Sequence, residues 1–152
     1  MPKAILLMVM IVFITACSTQ PEIGKVLNAV ESGDTDYVVS LMENGYDVNK
    51  VDSTGLSILI LASHLGNYEV INYLLDNGAD VNHQTNRGIT AIMVAAKAGE
   101  YRITERLLAG GADLNPQTNH GWSALVLAAR YGDRKMLSLL EDHEISLKLS
   151  AL

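Results

Sequence analysis

The chain has 152 residues, 49% of them hydrophobic and only 5% aromatic, and its net charge is −6. That length suits one domain with a sizeable core. The acidic balance argues against a general nucleic-acid binder, because phosphate contacts need a basic surface, and the single cysteine, Cys17, excludes an internal disulfide.

Part of the apolar share is concentrated at the start. Lys3 is followed by an unbroken apolar run from Ala4 to Ile14. At about 1.5 Å per residue, such a run is too short to cross a bilayer core as an ordinary helix. A short charged start, an apolar centre and a small-residue exit describe a secretory signal over residues 1–16. The exit reads Ile14-Thr15-Ala16-Cys17. It resembles the lipobox of bacterial lipoproteins, an aliphatic residue and two small ones before a cysteine, with Ile14 where leucine is commoner. The resemblance implies that the Cys17 thiol receives a diacylglyceryl group and that cleavage leaves Cys17 as the first residue of an acylated, membrane-anchored protein. An ordinary signal peptide with a chance cysteine and a start-anchor helix are the alternatives. Lipidation would account for a lone cysteine in an exported chain, where a free thiol is prone to oxidation. Ser18 stands where an aspartate tends to retain Gram-negative lipoproteins at the inner membrane, so it points to the outer membrane, facing the periplasm, in such a host. Residues 17–24 are then the lipidated cysteine and a short tether. Ser18 to Gly24 reaches roughly 20–25 Å fully extended, which holds the folded part, residues 25–150, near the membrane surface.

The remainder repeats. "NGYDVN" begins at Asn44, "NGADVN" at Asn77 and "GGADLN" at Gly110. Gly45, Gly78 and Gly111 are 33 residues apart, as are Gly55, Gly88 and Gly121, and Gly33, Gly66, Gly99 and Gly132. Three glycine columns on one period are the signature of a solenoid. The residues resemble the ankyrin repeat, with a Gly before Ser or Thr, an Ala pair, a mid-repeat Gly, then "GADVN". The resemblance covers about Ile23 to Lys148 and implies an all-α ankyrin-repeat solenoid of helix-turn-helix units joined by β-hairpin-like loops. The units are expected at about 20–50, 51–83, 84–116 and 117–150, the first and last serving as caps. The last lacks the Gly-Ala-Asp turn, having Glu144, Ile145 and Ser146 there, so the stack is expected to end with it.

Each column has a local role. Ser57, Thr90 and Ser123 stand where a hydroxyl caps the first helix of a unit, and Asp34, Asn67 and Asp133 where a side chain caps the second, with Glu100 the odd member. Ala29, Ala62, Ala95 and Ala128 let neighbouring helices approach closely. Ile58, Leu59, Leu61 and Ala62, then Val70, Ile71, Leu74 and Leu75, recur at helical spacing and are expected in the core. The family's Thr-Pro-Leu-His tetrapeptide is absent. Its histidine, which links repeats, is replaced by Ile60, Met93 and Val126, so an apolar seam is expected in place of that polar network.

No residues have catalytic or metal-site spacing. His64, His83, His120 and His143 are scattered, and Asp47, Asp80 and Asp113 repeat with the unit rather than forming one site. An enzyme is the remote alternative, and the resemblance implies no cofactor. It implies instead a protein partner, bound along hairpin tips and the inner helix by the residues that differ between units. The tip positions are Ser53, Thr54 and Leu56; Asn86, Arg87 and Ile89; and Asn119, His120 and Trp122. The helix-end pairs are His64 and Leu65, Lys97 and Ala98, and Arg130 and Tyr131. Leu56, Ile89 and Trp122 are expected either as an exposed apolar column beside Lys97 and Arg130, or tucked under their own hairpins. The expected protein is a monomer that binds a protein in the cell envelope. Its role would be that of an immunity protein neutralising a toxic effector, a helper of a stress-defence enzyme, or a scaffold.

Overall fold

Four helix pairs follow one another along residues 22–151, the part of the chain that this computed structural model describes. They are α1 (Ile23–Ser32) with α2 (Thr35–Glu43), α3 (Ile58–Leu65) with α4 (Tyr68–Asp76), α5 (Ala91–Ala98) with α6 (Tyr101–Ala109), and α7 (Ala124–Arg130) with α8 (Arg134–Ser150). Helices α3, α5 and α7 start 33 residues apart, so the period read from glycines is the period of the helices. The fold is all-α among the described residues, with one isolated antiparallel bridge, Val51 to Ser57, in the first hairpin. The expected signal segment and the expected lipidation site, Cys17, lie outside the described residues. Ile23 and Gly24 belong to α1 rather than to a tether.

The caps follow the side chains present. The Ser57 hydroxyl accepts from the Ile60 N–H at 3.2 Å, and Ser123 from Val126 at 3.3 Å. Thr90 departs from this pattern: its hydroxyl is buried, caps nothing and has no partner among the described residues. At the second helices, Asp34, Asn67 and Asp133 accept from Tyr37, Val70 and Met136. Glu100 makes no such bond. Where the inner units have a turn glycine, the last has Glu144, and α8 runs on to Ser150.

The core is continuous from unit to unit. Ala62, Ala95 and Ala128 are fully buried, and so are the larger Ile58, Ile71, Leu74, Ile92, Ile103, Leu107, Met136 and Leu140. Each of the larger side chains contributes about 1.5–3 kcal/mol of burial. Leu75 is half-buried against the same cluster. The first helices of successive units (α1, α3, α5, α7) meet more extensively than the second helices. Close approach on one side and wider spacing on the other curves the row and places the first helices and hairpins on the inner, concave side.

The expected apolar seam is only partly present. Ile60 and Met93 are buried, but Val126 is 45% exposed, as no further unit among the described residues covers α7. The polar links between units run through the turns instead. The Asn49 amide donates to the Gly78 carbonyl at 3.1 Å and accepts from the Asp80 N–H at 2.7 Å. One unit later Asn82 repeats both bonds with Gly111 and Asp113, at 3.1 and 2.8 Å. A ring nitrogen of His83 lies 2.8 Å from the Gly55 carbonyl. On the outer side, the Tyr101 hydroxyl bonds the Asp133 carboxylate at 2.9 Å, while Arg102 and Lys135 lie over the Tyr68 and Tyr101 rings at 4.2 and 4.3 Å.

Two results are expected from this arrangement. Gly88 and Gly78 both have positive φ, which disfavours a side chain, but a Cβ on Gly88 would lie 2.7 Å from the Gln117 carbonyl oxygen whereas one on Gly78 meets open space. Gly88→Ala should therefore lower the unfolding free energy in urea by at least about 1 kcal/mol more than Gly78→Ala. The second result concerns acid. The Met136 N–H and then the Tyr101 hydroxyl hold the Asp133 carboxyl below the usual carboxylate range. A depressed carboxylate stabilises the fold above its unfolded pKa, about 3.9, and that contribution is lost as pH falls through the lower folded value. Asp133→Asn, which keeps the cap but cannot titrate, should lose less thermal stability than the parent on acidification through that window.

Candidate functional site

Each hairpin tip is set by the side chain at its base. The Asp52 carboxylate accepts from the Thr54 hydroxyl and from the N–H groups of Thr54 and Leu56, at 2.7–2.9 Å. These bonds, the Thr54 hydroxyl foremost, hold its pKa below the ordinary value. Thr85 takes the same position in the next hairpin and accepts from the N–H groups of Arg87 and Ile89. Thr118 does so in the last, for His120 and Trp122. The Ile89 and Trp122 carbonyls accept in return from the N–H groups of Thr85 and Thr118 at 3.0 Å. The third residue of every tip is thereby held at both its N–H and its carbonyl before any partner arrives.

The tips are also joined to one another. The Asn86 N–H donates to the Thr54 carbonyl, and its side-chain amide donates to Ser53. The Asn119 N–H donates to the Arg87 carbonyl, and its amide to Asn86. Asn86 and Asn119, expected to face a partner, are solvent-exposed, but their amides are engaged in binding one tip to the next.

Of the other positions singled out from sequence, Ser53, Thr54, His64, Leu65, Arg87, Lys97, Ala98, His120, Arg130 and Tyr131 are exposed. Leu56, Ile89 and Trp122 are half-buried, and Leu56 and Trp122 rest against the core cluster. The column is thus neither fully presented nor fully tucked away. Its last member is the most elaborated: the Arg130 guanidinium lies 4.8 Å from the centre of the Trp122 ring, and the His120 ring is tilted against Trp122 at 6.3 Å. The Lys97 ammonium stands 5.7 Å from the Tyr131 ring. Cations over aromatic faces are attracted by the ring quadrupole, so these contacts brace both partners.

A cleft of about 650 Å³ opens between the last two hairpins and helices α5 and α7. It brings together Arg87, Ile89, Lys97, Asn119, His120 and Trp122 from the sequence candidates, over Met93, Val94, Thr118 and Leu127. Ser53, Thr54, Leu56, His64, Leu65, Asn86, Arg130 and Tyr131 are not among its lining residues. Sequence reasoning missed the floor and the bracing threonines. Met93 carried a signal, since it replaces a polar residue of the repeat motif. Thr85 and Thr118 carried one too, as acceptors two and four residues before tip N–H groups. No group of three or more metal-ligating side chains occurs among the described residues.

Residues 25–85 and 69–150 match the family of ankyrin repeats in three copies. No curated protein matches the chain. With the matched residues covering nearly all of the helical stack, the chain belongs to the ankyrin-repeat family, whose repeats are protein–protein interaction modules.

Proposed function

We propose that the protein is a lipid-anchored ankyrin-repeat module of the bacterial cell envelope that binds another protein, as a monomer, through its hairpin tips and concave helix face. The observation that carries the binding reading is the cleft beside Trp122, where a large ring, an apolar floor and two cations meet on pre-set hairpins. Trp, Tyr and Arg dominate binding hot spots, and Trp122, Tyr131 and Arg130 lie within one unit of this surface. The anchor reading rests on Ile14-Thr15-Ala16-Cys17 after an apolar run. Two acyl chains or more would make attachment stable, at about 0.8 kcal/mol per buried CH₂. The concave face would then work close to a membrane surface, on an envelope partner rather than a diffusing cytosolic one.

Crosslinking in intact cells, followed by mass spectrometry, identifies the partner, and calorimetry on the isolated pair measures the interaction. Trp122→Ala should weaken binding by about 2 kcal/mol or more, with an unchanged circular dichroism spectrum; an unaltered dissociation constant removes Trp122 from the contact. Inhibition of the partner on binding would mark an immunity role, and binding without inhibition a helper role. Cys17→Ala should leave the protein soluble or unprocessed on membrane fractionation, and normal retention and processing would overturn the lipid anchor.

A further inference from the structure

Charge is unevenly distributed over the concave face. The chain as a whole is at −6, yet the cleft is lined by Arg87 and Lys97 and by no carboxylate. Arg130, on the Trp122 ring, adds a third cation beside it. The ion pairs among the described residues are Arg106 with Asp76 and Lys148 with Glu144. The three cations at the cleft take part in neither. Ile89, Met93 and Trp122 supply the apolar surface between them.

We infer that this cleft receives an acidic segment of the partner protein, a large apolar side chain flanked by aspartate or glutamate; the inference rests on the protein-binding reading above. The argument is one of desolvation. A partner that covers Ile89 and Trp122 must also take water from the heads of Arg87 and Lys97. A guanidinium has five N–H donors and an ammonium three, and burying them without acceptors is costly. A neutral apolar segment would leave these donors stranded, and a basic one would add like-charge repulsion. A segment bearing carboxylates satisfies the donors while its apolar residue fills the floor. The cleft is open on one side, and its volume of about 650 Å³ accommodates one or two large side chains. The same charge pattern would speed association with an acidic partner and make it sensitive to salt.

The test is selection of short random peptides displayed on phage against the full-length chain held in phosphatidylcholine nanodiscs, with empty nanodiscs as the blank. The expected result is enrichment of peptides in which Asp or Glu flanks Phe, Trp, Leu or Met, lost in Trp122→Ala. An Arg87→Glu, Lys97→Glu double variant should abolish the acidic preference and weaken the best selected peptide about tenfold or more. Both residues are exposed, so the double variant leaves the core untouched, which circular dichroism checks. Peptides that depend on Trp122 but are neutral or basic, or an acidic preference that survives charge reversal, would overturn the inference and leave the protein-binding reading standing. No Trp122-dependent enrichment at all would overturn both. Displacement of the selected peptide by phosphatidylglycerol vesicles, but not by phosphatidylcholine vesicles, would reassign the cleft to an anionic lipid surface.

Discussion

A helix pair of this size has an apolar face it cannot cover by itself, and the whole molecule follows from covering that face with the next pair. Ala62, Ala95 and Ala128, one in each of α3, α5 and α7, have no exposed surface. With only a methyl at those points, α3, α5 and α7 can lie side by side. The second helices of successive units meet less extensively than the first. Curvature is thus a packing outcome of side-chain volume. It leaves one side of the row, with the hairpins and the exposed ends of the first helices, open to solvent.

Polar chemistry then fixes what packing leaves loose. Apolar contact is non-directional and would tolerate small slips between units. Asn49 and Asn82 each exchange a donor and an acceptor with the following turn, so the step from unit to unit is set by hydrogen-bond geometry. At the tips, Asn86 and Asn119 each donate two bonds to the preceding hairpin, one from the backbone N–H and one from the side-chain amide. Rigidity at the tips bears on recognition, since a surface ordered beforehand loses less freedom when a partner docks. Thr85 and Thr118 serve the same end within each hairpin.

Much of this was legible in the sequence. The glycine columns and the Ala column specify the unit, its period and its helix ends, because each depends on local backbone geometry or on volume. The caps at Asp34, Asn67 and Asp133 were readable for the same reason. What was not legible depends on neighbours. The seam through Ile60 and Met93 stops at Val126, since burial there needs a neighbouring unit on the far side of α7 and none is among the described residues. Asn49 and Asn82 read as turn residues, and nothing in a turn motif shows that its amide reaches the next repeat. The cleft was half legible: its variable rim stood out as differences between units, whereas of its floor Met93 read only as part of a seam between units and Leu127 was not singled out.

A row of near-identical units invites a particular error, in which a ligand settles one repeat out of place and finds almost the same footing. The third tip residue works against this. It is a four-carbon aliphatic group at Leu56 and at Ile89 and an indole at Trp122, while the glycine before it keeps nearly the same φ, 79°, 75° and 77°. That step in bulk at the last tip breaks the translational sameness of the scaffold and gives the ribbon a heavy end and a light one. A chain bound there would be offered a direction as well as a place.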